Sequence, residues 1–446
     1  MSTLYLTLVG LGLRIAVTLI VIINTLLMAR ALGPAGFGEY FIFYRLVSVL
    51  AAFADFGLPQ SANAFYGRFQ TWRASIHRVV IGLVPVLWLA VTFVGGLTLW
   101  FGKEILLPHM MPLLAVMAFA ILPLSVYANL WNSMMIGAGF IWRVNLIQLL
   151  MCSFSLLLTV VVVVIFRGGL LGAALSYSMV MLSQFTLMFL IAHRVRGDKD
   201  SDGPPPDLWR QMLHFGLRGY PGSISSFLWT RLPVFILNAS YGPVVVGFFS
   251  VGQQVVEKML LPAQAVRDVV YQKMSVLPGP SASAAMNRYI RLTLWSMVVI
   301  VGLGSVGIPL LMRSLLGRQY DAVIPITLIL LGGALFGAVS LLLDTFFVNQ
   351  LHRPGLVSIL AWLKFFVGLA LATLLILTHS AKGAAVAIVL TQILGTVIHL
   401  FLYVRRTGTR LKELILLDSD DLRLVRDQLL SLMKRKRESS NILPAK

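Results

Sequence analysis

"MARALGPAGFGEYFIFYRLV", residues 28–47, separates two strongly apolar stretches and carries Arg30 and Arg45 on either side of Glu39. Pro34 can open a helix but not continue one, and Gly33, Gly36 and Gly38 permit a tight reversal of the chain. The stretch therefore reads as a short turn between two helices, about 5–31 and 37–65, each longer than the roughly 20 residues needed to cross a bilayer core. Further apolar runs at 79–101, 144–166 and 383–404 have the same character. With 446 residues, 58% of them hydrophobic and 12% charged, and a mean hydropathy of +0.87, the chain is a polytopic α-helical membrane protein by composition. No period-2 pattern suggests a barrel. Residues 4–31 lack a basic leader and are followed at once by another span, so they are expected to stay as a helix of the mature chain. The single cysteine, Cys152, excludes an intramolecular disulfide and a cysteine-based metal cluster.

Charge clusters and Gly/Pro breaks mark twelve spans, at about 5–31, 37–65, 79–101, 110–136, 144–166, 170–193, 213–240, 244–271, 290–312, 322–350, 355–378 and 383–404. The net charge of +19 follows this topology rather than a nucleic-acid footprint: 23 basic residues fall in one set of alternate loops and the tail, against 6 on the other side. Lys and Arg are retained in the cytoplasm during insertion, which places both termini there.

The longest internal polar stretch, "RVRGDKDSDGPPPDLWR" at 194–210, lies between the sixth and seventh spans. It divides the chain into a six-helix bundle at 1–194, a cytoplasmic linker at 195–212, a second six-helix bundle at 213–404 and a basic tail at 405–446. The halves echo each other. "LGPAGFGEY" at 32–40 aligns with "YGPVVVGFF" at 241–249 at an offset of 209, and "GAAL" at 172–175 aligns with "GAAV" at 383–386 at an offset of 211. An even number of spans separates the matched elements, so the bundles would be related by a pseudo-two-fold axis along the membrane normal. In the tail, Leu422, Val425, Leu429 and Leu432 share one helical face ahead of a KRKR run, as in an amphipathic helix lying on membrane lipids or simply a solvated tail.

Residues 10–69 carry a more specific signal. Arg14 in the first span, the "AR-x-LGP-x-x-FG-x-Y" hinge at 29–40 and "ADFGL" at 54–58 together resemble the N-terminal signature of polysaccharide export flippases of the multidrug/oligosaccharidyl-lipid/polysaccharide exporter superfamily. The resemblance implies two bundles that alternate access across the bacterial inner membrane. The implied cargo is an undecaprenyl-pyrophosphate-linked oligosaccharide for O-antigen, capsule or exopolysaccharide, passed on toward polymerase and chain-length proteins. It implies no covalent chemistry, no cofactor, and drive by protons or sodium.

Ionisable residues inside spans are costly in hydrocarbon and so mark a cavity or a partner. Seven bases stand against four acids there, an excess suited to a pyrophosphate. Arg14 lies about ten residues, or roughly 15 Å, into its span, near the midplane; it is a candidate phosphate contact, the alternative being an ion pair with an acid such as Asp55. Arg45, Arg231, Lys258 and Lys364 complete the candidate cationic cavity, with Arg45 alternatively extended toward the outer interface. Arg218 and Arg267 lie at span ends and read as topological. Asp55, Glu257 and Asp344 are candidate coupling carboxylates or, equally, partners in helix-to-helix salt bridges. Glu257 and Lys258 are adjacent and face different directions, so one of them is expected to face the cavity. His77, His109, His352, His379 and His399 have no metal-ligand spacing. A multidrug and toxin extrusion antiporter, which would want acid in its cavity, is the main alternative; an enzyme is disfavoured because the outward loops are only a few residues long.

Overall fold

In the computed structural model, residues 3–108, 110–195, 204–274 and 277–416 are described, with their side chains except at 3–11, 14, 99, 103–106 and 272. The predicted tail helix and most of the interbundle linker lie outside the described residues. Helices account for nearly all of the described chain, and no strand occurs among the described residues.

The first two predicted spans form α1, Thr3–Asp55, whose single non-helical residue is Gly33 at φ 67° and ψ 175°. A continuous 53-residue helix would be about 80 Å long, far beyond a bilayer core. One left-handed glycine followed by a helix-opening proline joins two spans instead, so the turn is shorter than the sequence suggested: Pro34 to Gly38 is already helical. α1 ends at Asp55, where Phe56 and Gly57 take positive φ, and α2, Leu58–Arg68, begins afresh with Pro59 in its first turn. The predicted second span, 37–65, is thus a helix plus a short second piece.

Spans 3 to 6 are α3, Arg73–Leu106, α4, Pro112–Gly137, α5, Ile141–Leu158, continued by a π-helical turn at Thr159–Ile165, and α6, Gly169–Val195. The seventh is broken into α7, Leu208–Leu228, and α8, Leu232–Tyr241, around Trp229–Arg231. The eighth is broken into α9, Pro243–Met259, and α10, Leu261–Met274, with a 42° bend between them. α11, Gly279–Leu316, and α12, Val323–Asn349, are the ninth and tenth. α13, Pro354–Thr407, joins the last two across Ser380 at φ 54°, and α14, Leu411–Ile415, follows. Eight of these helices are long and apolar enough to cross a membrane, nine with the bent α9–α10 pair. Because α1 and α13 each hold two spans and α7–α8 supplies another, the order agrees with twelve.

The repeat seen in sequence is a repeat of backbone. Gly242, at φ 76° and ψ −177°, matches Gly33 and likewise precedes a helix-opening proline. Ser380 has the positive φ of Gly169, its counterpart at an offset of 211. The two glycine turns also touch: a Cβ on Gly38 would run into the Pro243 carbonyl, and one on Gly247 into the Pro34 carbonyl. Small residues here let two helix backbones approach closely, the usual device where lipid removes the hydrophobic drive for helix association.

The described chain forms two compact units. One comprises Met1–Lys258, Ser305–Leu331 and Pro354–Thr391; the other comprises Met259–Gly304, Gly332–Arg353 and Gln392–Lys446. In the first, α1 packs on α4, α5 and α6, and α2 packs on α4 and α7. In the second, a polar seam joins α12 to the end of α13: Ser340 and Thr396 hydroxyls lie 3.0 Å apart, Asp344 meets His399, and Phe346 packs edge-on against Tyr403. Residues 396, 399 and 403 share a helix face by their three- and four-residue spacing, which is why the seam is continuous.

Candidate functional site

In the first unit, the two arms of α1 with α4, α5, α6 and α9 enclose a cavity of about 360 Å³. Its wall carries Asn24, Asn132, Gln148, Gln184 and Gln254, together with Tyr40, Tyr44 and Tyr177. Among the described residues, no Asp, Glu, Lys, Arg or His belongs to it. The described wall is polar and neutral, with Arg45, Glu257 and Lys258 beside it.

Arg45 comes from the second arm of α1, one residue beyond the cavity-lining Tyr44. It is 3% exposed, so it does not extend to an interface. Its guanidinium lies 4.6 Å from the centre of the Phe41 ring, which also lines the cavity, and donates to Glu257 Oε1 on α9 at 3.3 Å. Arg231 occupies the break between α7 and α8. It donates to the Phe227 carbonyl at 3.1 Å and to Thr230 Oγ1 at 2.7 Å, and stacks on the Phe227 ring at 3.9 Å. It stands near enough to Arg45 and Glu257 for the three charges to influence one another. Breaking span 7 at 229–231 makes this possible, because a helix end leaves room for a guanidinium to fold back on its own preceding turn. The Nε–H groups of both arginines are buried without an acceptor among the described residues.

Lys258 sits beside Glu257 on α9 and borders a narrow annex with Thr25 and Gln254, both of which also line the cavity. Its charge reaches Cys152 in the cavity wall. Glu257 and Lys258 therefore face different neighbours, Arg45 for one and the cavity's edge for the other. Arg45, Arg231 and Glu257 are brought together, with Lys258 at the cavity's edge. Arg14 lies on α1, but its side chain is outside the described set. Lys364, on the first arm of α13, makes no hydrogen bond or ion pair among the described residues. Arg267 pairs with its neighbour Asp268 at 2.7 Å.

Asp55 closes α1 and accepts from Asn129 Nδ2 of α4 at 2.8 Å, while its Oδ1 is buried without a partner among the described residues. Asp344, in the second unit, meets His399, a residue the sequence reading set aside. His399 Nδ1 is 2.6 Å from the Gly395 carbonyl and Nε2 is 2.7 Å from Asp344 Oδ1. A carbonyl only accepts, so Nδ1 carries a hydrogen, and the contact to Asp344 needs one more, on the ring or on the carboxyl. The sequence does not single out the amides of the wall either: Asn132, Gln148 and Gln184 lie in apolar spans without a charge to mark them.

Among solved structures, the fold is similar to "Inward-facing conformation of a multidrug resistance MATE family transporter of the MOP superfamily", at a TM-score of 0.69 and 17% identity, covering 90% of this chain and 98% of that one. It is also similar to a MOP superfamily transporter from Pyrococcus furiosus described under "Reverse polarity of binding pocket suggests different function", at a TM-score of 0.61 and 15% identity, covering 90% and 94%. A curated relative, the probable low-salt glycan biosynthesis flippase Agl15 of Haloferax volcanii, is 22% identical over 382 residues, covering 83% of this chain and 77% of its own. The polysaccharide biosynthesis protein family matches residues 2–263, a stretch that contains the glycine turns, Arg45, Arg231, Glu257 and the whole cavity wall. On that match the chain belongs to the polysaccharide biosynthesis protein family.

Proposed function

We propose that the protein is a flippase that carries an undecaprenyl-pyrophosphate-linked oligosaccharide from the cytoplasmic to the outer leaflet of the bacterial inner membrane, with both termini in the cytoplasm and no bond made or broken. The carrying observation is the buried Arg45, with the half-buried Arg231 near it, beside a cavity whose described wall is amide-rich and neutral. Guanidiniums stay charged when desolvated and bind two phosphate oxygens at once, and each of these two has an unpaired buried Nε–H to offer. Arg14, Lys258 and Lys364 would add to the cationic path. The matching glycine turns support two six-span halves, 1–194 and 213–404, which alternate access to the site. The transported glycan would then pass to polymerase and chain-length proteins.

An organic-cation antiporter of the same fold is the competing reading, and the lack of any carboxylate among the described wall residues argues against it. Coupling to protons or sodium falls on Asp55, Glu257 or Asp344; of these, Asp344 with His399 is best built to carry a proton. A deletion strain should accumulate lipid-linked glycan in the cytoplasmic leaflet, with complementation by the wild type and failure of Arg231→Gln. Normal glycan display in the deletion strain, with organic-cation efflux lost instead, would reverse the assignment.

A further inference from the structure

The cavity and the arginine pair are adjacent but chemically unlike. Ten of the 21 described residues in the cavity wall bear amide or hydroxyl groups, and none of the 21 is an Asp, Glu, Lys, Arg or His. A polyprenyl tail placed there would leave the amides that have no partner in the fold unsatisfied; an organic cation would find no counter-charge among these residues. Asn132, Gln148 and Gln184 make no hydrogen bond among the described residues, and Asn24 Oδ1 is buried without a partner. Tyr44 and Tyr177 meet edge to face at 5.6 Å, and both rings line the space. The volume, about 360 Å³, lies at the lower end of small-molecule sites, about 300–1,000 Å³.

Building on the flippase reading above, we propose that this cavity is the seat of an uncharged sugar residue at the lipid-proximal end of the cargo's glycan. Amides both donate and accept, as sugar hydroxyls do, so Asn132, Gln148 and Gln184 can pair with a ring's equatorial substituents without a charged group. The tyrosine rings offer an apolar face to its C–H side and hydroxyls at their tips. Arg45 links the two subsites: its guanidinium lies over Phe41 of the wall, and its neighbour Tyr44 is in the wall itself. A pyrophosphate held by Arg45 and Arg231 thus places the first sugar at the cavity. The amides select the glycan, and the arginines hold what every such lipid shares.

The test measures binding to the purified full-length protein in lipid nanodiscs with two probes: undecaprenyl pyrophosphate, and the lipid-linked glycan fraction extracted from the deletion strain. The wild type should bind the glycan-bearing lipid more tightly by about tenfold or more. In the variant Asn132→Leu/Gln148→Leu/Gln184→Leu that preference should vanish while affinity for the bare lipid stays, which also shows that the variant is folded. Met181→Trp, which fills the cavity from α6, should do the same. A preference retained in both variants, equal binding of the two probes by the wild type, or loss of the bare lipid in both variants would overturn the sugar seat and leave the flippase reading standing. Binding of neither probe by the wild type would overturn both.

Discussion

Arg45 and Glu257 are unequal partners, 4% and 40% exposed in their side chains. Removing the arginine leaves a carboxylate that water already reaches; removing the carboxylate leaves a buried guanidinium unpaired. Glu257→Leu should therefore lower thermal stability more than Arg45→Met does, by about 1–3 kcal/mol for a buried donor left without its acceptor. Equal losses in the two variants, measured by thermal unfolding in detergent, would show that the exposure difference does not govern the pair. His399→Gln keeps a donor for Asp344 but cannot carry a proton, so the seam of α12 and α13 should hold while the response of transport to an imposed pH gradient is lost. A His399→Gln protein whose pH response matches the wild type would remove this pair from the coupling. At this scale the sequence exposed the charges well, since a charged residue in an apolar run stands out, and Arg45, Arg231 and Glu257 do come together. It hid their partners: nothing in the string ties Asp344 to His399, 55 residues later, and the amides of the cavity wall look unremarkable one by one.

Helix ends were legible where glycine and proline make them. Gly33–Pro34 and Gly242–Pro243 take nearly the same dihedral angles, because a one-residue reversal needs a left-handed residue and a helix that can start at once. The breaks at Phe56–Gly57 and Trp229–Arg231 fall inside spans drawn by apolar length alone, although Gly57 and Pro59 mark the first of them. The turn at Ser380 falls between the spans expected at 355–378 and 383–404, but a serine takes the conformation that its counterpart Gly169 adopts at low cost. The reciprocal contact of the two turns gives a direct test. Gly247→Ala adds a methyl against the Pro34 carbonyl and should destabilise the protein by about 1–3 kcal/mol, as overpacked cores do. Gly332→Ala, where nothing lies within 4 Å, should cost no stability. If both variants melt alike, the turns are not held by close backbone contact.

Over the whole chain, the sequence supported the class and the count of spans because bilayer thickness sets segment length. The folded chain sets Arg45 and Glu257 alongside a wall whose described residues are neutral. That separation suits a cargo with a charged link and an uncharged glycan better than it suits a cationic drug. The central claim is movement of such a cargo between leaflets. The direct measurement uses proteoliposomes loaded with lipid-linked glycan from the deletion strain, with the share in the outer leaflet followed over time by a membrane-impermeant glycosidase. The wild type should expose the lumenal pool, and Arg45→Ala/Arg231→Ala vesicles should leave it protected. Protection of that pool in wild-type vesicles to the same extent as in protein-free ones would contradict the claim.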